Sequence, residues 1–355
     1  MTMRVLIVGA GPTGLTTAVE LARQGITPEV IDQREDPSSL SRAVGILPRS
    51  LKLLELSGVT QRLLDEGIHM QSMEIFKGSR SAARISIKGG HPEHDYVVAL
   101  AQDRTEAALR DTLTEFGGTV SYGQELIALH QKNERVVVHT REGAEDAFDL
   151  VVGADGIRSK TRECAGIDYP GFDLPETWSI ADVDAQNWIN PDSFTVCLLA
   201  DRKVVVVAPL EPTRYRVVSN TENALQSLPL PLDITGIRRE GTFTISIRQA
   251  THYNKGRVYL AGDAAHCHSP VGGRGMNLGI ADAADLAHRI VKNDLTGYST
   301  ARHADGVRII AQSEQIRGIF TTTNPITRMI RNAFFPLINA STVLQRRAAQ
   351  RMLGD

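Results

Sequence analysis

Three glycines near the start of the chain, Gly9, Gly11 and Gly14, have the spacing G-x-G-x-x-G. They lie between an apolar run suited to a buried strand, residues 4–8, and a helical pattern over residues 15–24. In such a turn the first glycine permits a tight bend, the second lets a pyrophosphate approach the backbone, and the third lets the helix pack against the strand. The unpaired N–H groups at the start of that helix attract phosphate charge. The segment is therefore predicted to bind the pyrophosphate of a dinucleotide.

An acidic residue, Asp32, ends the second predicted strand, residues 28–32. A carboxylate at this place accepts hydrogen bonds from ribose hydroxyls and repels a 2′-phosphate, which predicts FAD or NAD and not NADP as the bound nucleotide. Arg34 and Arg42 lie nearby and are candidates for neutralising the pyrophosphate. The fingerprint by itself does not separate FAD from NAD.

Two further motifs follow the fingerprint. Residues 149–162, DLVVGADGIRSKTR, are typical of a strand that runs into the glycine-flanked Asp155. Residues 257–266 and 269–277, RVYLAGDAAH and SPVGGRGMN, are typical of a strand that ends in Asp263 and leads into a glycine-rich loop. A carboxylate such as that of Asp263 can bond a polyol like the ribityl chain of a flavin, since an unbonded carboxylate among apolar residues would be costly.

The glycine-rich loop after the last strand brings bare backbone against a flat ring. A helix predicted from Met276 onward aims its N-terminal N–H groups at that ring, and reduced flavin is anionic at its N1–C2–O2 edge. The residues expected around the ring are Pro270, Gly272, Gly273, Gly275, Met276 and Asn277. This second set of features favours FAD over NAD.

Together, the three motifs closely resemble the class A flavoprotein monooxygenases, the para-hydroxybenzoate hydroxylase family, along nearly the whole chain. The resemblance implies noncovalently bound FAD, a hydride from NAD(P)H that reduces it, and O2 that adds at the flavin C4a carbon. The resulting hydroperoxide would hydroxylate an electron-rich aromatic or phenolic substrate. Two residues depart from the family pattern: Asp32 replaces the more usual glutamate, and Arg274 stands where glutamine is common.

The motifs and the resemblance together define a set of predicted site residues. By resemblance, Gln102 and Arg42 contact FAD, and Asp155 and Arg158 act where FAD binding and NAD(P)H use meet. The predicted catalytic residues are Pro270 and Arg158. The predicted cofactor-binding residues are Gly9, Gly11, Pro12, Thr13, Gly14, Asp32, Gln33, Arg34, Arg42, Gln102, Asp155, Gly156, Gly262, Asp263, Pro270, Gly272, Gly273, Gly275, Met276 and Asn277.

Other functions remain open at this point. Because no second G-x-G-x-x-G follows a later strand, NAD(P)H is expected to visit transiently. A halogenase of related fold would carry W-x-W-x-I, which Trp178 and Trp188 cannot form. A reductase, a dehydrogenase and a non-catalytic flavin-binding or drug-sequestering protein stay as alternatives.

His266 and His268 lack a third ligand nearby, so no metal site is predicted, and His266 is expected to support the motif structurally.

The elements that position these residues predict an α/β fold. It combines a Rossmann-like, glutathione-reductase-type FAD-binding domain with an interleaved mixed β-sheet substrate domain and C-terminal helices. The predicted bounds are 1–72, 101–165 and 256–300 for the FAD-binding domain, 73–100 and 166–255 for the β-rich domain, and 301–355 for the C-terminal helices. Arg158 and Arg162 have the spacing of one helix face.

The substrate pocket is expected between the flavin and the β-rich segment. One face of a predicted strand there offers Arg214 and Arg216 and the other face offers Tyr215. Strict alternation along a strand does not say which of the two faces points into the pocket.

Composition limits the class of protein. A chain of 355 residues with 42% hydrophobic residues is expected to fold into one or two domains, and a net charge of −2 gives no electrostatic case for nucleic acid.

The glycine-containing N-terminal run predicts a core strand and not a signal peptide, and no stretch reaches the roughly 20 apolar residues of a membrane span. Three cysteines without metal-ligand spacing favour reduced thiols in a cytoplasmic protein. A monomer or homodimer is expected. The arginines of the tail are interpreted as a solvated helix face, with membrane or partner contact as the alternative.

Overall fold

The computed structural model describes residues 3–38, 43–88, 94–270, 272–322 and 324–353. The strands are β1 (Val5–Val8), β2 (Glu29–Ile31), β3 (Gly45–Ile46), β4 (Ile68–Met70), β5 (Ser72–Lys77), β6 (Arg80–Ser86), β7 (Val97–Ala99), β8 (Val120–Ser121), β9 (Leu126–Lys132), β10 (Arg135–Thr140), β11 (Glu145–Phe148), β12 (Leu150–Gly153), β13 (Gly171–Gln186), β14 (Ser193–Leu198), β15 (Val204–Glu211), β16 (Arg214–Ser219), β17 (Asp233–Gln249), β18 (Asn254–Lys255), β19 (Val258–Leu260) and β20 (His266–Cys267). The helices are α1 (Pro12–Arg23), α2 (Pro48–Leu53), α3 (Val59–Glu66), α4 (Gln102–Glu115), α5 (Lys160–Cys164), α6 (Gly275–Lys292), α7 (Tyr298–Phe320), α8 (Pro325–Ala340) and α9 (Thr342–Leu353).

The glycine fingerprint follows the central strand of a six-stranded sheet with the order β18-β19-β12-β1-β2-β8. Strand β1 pairs in parallel with β12 and with β2, and β12 pairs in parallel with β19. Every residue of β1 and β12 is buried, as expected for parallel strands that are covered on both faces. The carboxyl ends of β1, β2, β12 and β19 therefore meet at one edge of the sheet, where the three predicted motifs begin.

The second large sheet has eight strands in the order β20-β17-β13-β16-β15-β14-β5-β6 and is mostly antiparallel. Its residues alternate between two cores because successive side chains of a strand point to opposite faces. In β15, for example, Val205 and Val207 pack in one apolar cluster with Tyr215. Val204 packs in a different cluster with Phe335 of α8.

The strands of the two large sheets come from alternating stretches of the chain, and the predicted α/β fold is confirmed. The exact domain bounds stay a prediction. One strand of the eight-stranded sheet, β20, lies inside the segment assigned to the FAD-binding domain.

Several predicted elements have different ends in the structure. Helix α1 begins at Pro12, three residues before the predicted residue 15, and α6 begins at Gly275, one residue before the predicted Met276. The prediction that Arg158 and Arg162 share a helix face is wrong, because α5 begins only at Lys160 and Arg158 lies in the preceding turn. A smaller three-stranded sheet has the order β11-β10-β9, and its outer strands are mostly polar and exposed. Among the described residues, each helix is too short or too polar to cross a bilayer.

Candidate functional site

A cleft with a volume of about 1400 Å³ is lined by residues from both large sheets and from the C-terminal helices. Most of the predicted site residues line it, although they come from distant parts of the sequence. These are Gly9, Gly11, Pro12, Thr13, Asp32, Gln33, Arg34, Gln102, Asp155, Gly156, Arg158, Asp263, Pro270, Gly272, Gly273, Gly275 and Met276. The predicted residues Gly14, Gly262 and Asn277 lie behind this lining, and Arg42 is outside the described residues.

The fingerprint turn has the shape that a pyrophosphate needs. A Cβ atom on Gly14 would lie 1.9 Å from the carbonyl oxygen of Gly9, so only glycine lets α1 approach the turn this closely. A Cβ atom on Gly11 would meet no protein atom within 4 Å and would instead occupy the cleft. No side chain caps the N-terminus of α1, which leaves its N–H groups available to an anion.

Asp32 is held in place as an ionised carboxylate at the end of β2. Its oxygens accept the N–H of Ala10 at 2.7 Å and the N–H and Nε of Arg34 at 2.9 Å. Burial alone would raise the pKa of Asp32, but the bonds from Arg34 and Ala10 outweigh it and the pKa is lowered. The guanidinium of Arg34 thus pairs with Asp32 and, at 3.5 Å, with Glu106. It is therefore less available to a pyrophosphate than the sequence indicated.

We expect Asp32→Ala to weaken FAD binding by about tenfold, roughly 1.4 kcal/mol, without abolishing it. The substitution removes a ribose acceptor and frees the guanidinium of Arg34, while the glycine turn stays unchanged. The measurement is a titration of the apoprotein with FAD, followed by flavin fluorescence. An unchanged affinity would mean that Asp32 serves only the turn itself.

The second motif forms a compact turn before α5. The carboxylate of Asp155 accepts hydrogen bonds from the hydroxyl of Ser159 at 2.5 Å and from the N–H and hydroxyl of Thr161 at 2.9 Å. These hydrogen bonds lower the pKa of Asp155, but burial has the larger effect and the pKa is raised. Arg158 is exposed at the cleft and makes no ion pair with the part of the chain that the structure describes. Arg162, by contrast, is buried, and its guanidinium stacks 3.8 Å from the ring centre of Tyr169.

Behind the third motif lies a buried network of charges that the sequence did not reveal. Asp282 of α6 is fully buried and accepts hydrogen bonds from the N–H of Gly262 at 3.0 Å and from Nε of Arg302 at 2.7 Å. His266 lies 2.5 Å from the same carboxylate, so it supports the motif structurally, as predicted. Although burial disfavours a charged carboxylate, the His266 and Arg302 partners hold the pKa of Asp282 below its usual value. An acid at a buried position of an amphipathic helix is the signal that would have indicated Asp282.

The glycine-rich loop that precedes α6 is supported from behind by Asn277. Its side-chain oxygen accepts the N–H of Leu47, and its amide group donates to the carbonyls of Gly45 and Gly273, each at 2.8 Å. The amide is therefore used to fix the loop to β3 and does not line the cleft. No side chain caps the N-terminus of α6, so its N–H groups can serve an anion, as at α1.

Two other side chains, Asp263 and His268, lie beside the loop. Asp263 is exposed and lines the cleft, where the sequence analysis expected its carboxylate to meet a ligand. Burial lowers the pKa of His268 to about 4, and its Nδ1 lies 2.8 Å from the carbonyl of Ser269. His268 is therefore neutral at neutral pH. Within the described residues, no group of three or more His, Cys, Asp and Glu side chains is placed to hold a metal ion.

The part of the cleft formed by the eight-stranded sheet, by β7 and by the C-terminal helices is mostly apolar and is called the apolar chamber. Its apolar side chains are Met73, Ile85, Val97, Trp178, Phe194, Val196, Val204, Val206, Val218, Ile316, Ile319, Phe320, Phe334 and Leu344. The open choice between the two faces of β16 is settled here. Arg216 lines the cleft and is paired with Asp182 at 2.7 Å, whereas Tyr215 packs on the opposite face near Trp188.

Comparison with known proteins places this site in a family. The family profile described as "FAD binding domain" matches residues 2–302. The chain is 33% identical over 347 residues to an uncharacterized aromatic compound monooxygenase of Bacillus subtilis, covering 88% of this chain and 68% of that protein. The chain belongs to the FAD-dependent aromatic monooxygenases. Within this family the open turn at Gly11 and the two uncapped helix N-termini fit the pyrophosphate and the ring of FAD.

The share of a related protein that this chain covers varies from one relative to another. A pentachlorophenol 4-monooxygenase of Sphingobium chlorophenolicum is 32% identical over 309 residues, which cover 81% of this chain and 57% of that protein. The chain thus spans a little over half the length of that relative. The crystal structure of a p-nitrophenol 4-monooxygenase from Pseudomonas putida superimposes with a TM-score of 0.88 over 99% of this chain and 98% of that chain, at 21% identity. At this identity the superposition supports the shared monooxygenase fold alone.

Proposed function

We propose that this chain hydroxylates an aromatic or phenolic small molecule, with O2 and NAD(P)H as co-substrates and FAD as the bound cofactor. The observation that carries the proposal is that residues of the three predicted motifs and residues of the apolar chamber line one continuous cleft. An aromatic molecule in the chamber would meet a flavin held by the glycine-rich loop that precedes α6. Bound FAD supplies the redox and oxygen chemistry, while the protein orients the substrate and keeps water out of the chamber.

The predicted site residues have distinct roles in this proposal. The turn at Gly9 and Gly11 and the start of α1 would hold the pyrophosphate, and Asp32 would accept the ribose hydroxyls. Asp263 would bond the ribityl chain, and the backbone of the glycine-rich loop would lie against the ring. Gly14, Gly262 and Asn277 would act from behind, by fixing the turn, the motif and the loop.

The electron donor is proposed to bind transiently. The sequence contains one G-x-G-x-x-G, and that fingerprint is assigned to FAD. Arg158 is an exposed cation at the cleft and is suited to meet a phosphate of NAD(P)H. We also propose a cytoplasmic location, because Cys164, Cys197 and Cys267 are all free.

The true substrate is expected to stimulate NAD(P)H oxidation by at least about tenfold, which corresponds to roughly 1.4 kcal/mol in the barrier to flavin reduction. Without a permanent donor site, reduction that waits for substrate avoids the loss of NAD(P)H as peroxide. The experiment screens phenols, aromatic acids and polyketide-like compounds and measures NAD(P)H consumption, hydroxylated product and H2O2 together. A saturated ring compound of matched size is the control for pocket filling.

Stimulated oxidation that yields a hydroxylated aromatic product supports the proposal. Fast oxidation that no aromatic compound stimulates, with only peroxide or a reduced compound as product, would contradict it and favour an oxidase or reductase. A protein that binds FAD and aromatic compounds but never consumes NAD(P)H would instead be a non-catalytic flavin-binding protein.

A further inference from the structure

Arg274, in the glycine-rich loop that precedes α6, is a buried cation at the wall of the cleft. It is 3% exposed and directly precedes α6. Its guanidinium donates hydrogen bonds to the side-chain oxygen of Gln312 in α7 and to the backbone carbonyl of Arg351 in α9. Its Nε is buried and has no hydrogen-bond partner among the residues that the structure describes. The acceptors that hold Arg274 are thus neutral, and they fix it in place without compensating its charge.

No carboxylate of the described residues forms an ion pair with Arg274. The other arginines that line this end of the cleft and are partly or fully buried have acidic partners: Arg216 lies 2.7 Å from Asp182, and Arg317 lies 2.6 Å from Glu314. The acidic side chains that line the cleft all lie in the segments predicted to form the FAD-binding domain, and they are Asp32, Glu106, Glu125, Asp155 and Asp263. The apolar chamber therefore carries an excess of positive charge.

A buried cation without a counter-charge is costly, and cations buried in proteins are normally paired. Burial lowers the pKa of Arg274, and the nearby Arg308 lowers it further. The neighbouring His268 is neutral and offers no negative charge. The missing counter-charge must then come from what fills the cleft.

We propose that the substrate is an aromatic anion, and that its carboxylate or ionised phenol oxygen pairs with Arg274 while its ring lies in the apolar chamber. This inference rests on the proposed function and names its substrate class. Removing the charge of Arg274 would leave the chamber without a buried, unpaired cation among the described residues, and the protein would then discriminate little between an acid and its neutral analogue.

The test measures binding to the resting, FAD-loaded protein by titration calorimetry, without NAD(P)H or turnover. Two matched pairs of probes separate the sources of negative charge: hydroxynaphthoate against hydroxynaphthamide for a carboxylate, and dinitrophenol, ionised at neutral pH, against dinitroanisole for a phenol oxygen. The wild-type protein is expected to bind the anion of at least one pair about tenfold or more tightly than its neutral partner. Arg274→Gln is expected to remove this preference, and Arg274→Lys to keep part of it. Arg328→Gln is the control, because it removes one exposed arginine that does not line the cleft.

Equal binding of anion and neutral partner by the wild-type protein would overturn the inference, as would a preference that persists in Arg274→Gln. If Arg274→Gln instead shifts the flavin reduction potential and leaves the anion preference unchanged, the counter-charge is the flavin, and the inference is wrong. Should Arg274→Gln lose FAD, the wild-type preference and its weakening in Arg274→Lys decide the matter. The hydroxylase proposal is tested separately by product formation, so either proposal can fail alone.

Discussion

Gly11→Val is expected to lower FAD affinity by at least about 100-fold, roughly 2.7 kcal/mol, while the protein keeps its fold. A Cβ atom at this position meets no atom of the described residues within 4 Å, so the fold is expected to accept the valine. Its methyl groups would occupy the space that the pyrophosphate needs beside the start of α1. FAD content of the purified protein and titration of the apoprotein with FAD measure the effect, and circular dichroism reports the fold.

Two matched variants make this result specific. Gly241→Val also adds a side chain into open space, but in β17 and away from the cleft, so FAD binding should not change. Gly14→Val should instead damage the fold, because its Cβ would collide with the carbonyl of Gly9. Full FAD occupancy in Gly11→Val would show that the fingerprint turn does not hold the cofactor.

Asp282→Ala is expected to lower the free energy of unfolding by about 3–5 kcal/mol, the effect of breaking a buried ion pair by removing one partner. The substitution leaves the buried Arg302 without its central partner and removes the acceptor for the N–H of Gly262. Urea unfolding monitored by circular dichroism measures the change. Because the pKa of Asp282 is lowered in the fold, its stabilisation is present above the unfolded-state pKa and is lost as pH falls through the folded-state value.

Asp285→Ala is the matched control in the same helix. Asp285 pairs with Arg289 at 2.9 Å near the surface, where both side chains are about a quarter exposed. An ion pair of this kind contributes less than about 1 kcal/mol. If the two aspartate variants lose the same stability, the buried network does not have the role assigned to it.

The network also connects stability with the proposed site. Asp282 holds the backbone of Gly262, and the next residue, Asp263, lines the cleft. A variant that loosens this contact is therefore expected to bind FAD more weakly even under conditions in which it stays folded.

Local chemistry in the sequence determined the family, the FAD fingerprint and much of the fold. The glycines of the fingerprint could be assigned because their roles depend on the backbone of one short turn, and Gly14 shows the predicted close packing. The strands β1 and β12 could be assigned because a strand that is buried on both faces must be apolar throughout. The role of His266 followed from the motif that contains it.

Only the tertiary structure decided the features that depend on contacts between distant segments. The face of β16 that reaches the cleft could not be read from alternation, since Arg214, Tyr215 and Arg216 are all buried in the packed sheet. Asp282 and Arg302 meet only because α7 packs against α6, so their pairing could not be recognised from the sequence, although the buried helix position pointed to Asp282 itself. Arg274 was visible in the sequence as a departure from the family pattern. That its charge is buried without a carboxylate partner in the described part of the chain follows from the packing of α7 and α9 around it, because burial and pairing are properties of the folded chain and not of the residue.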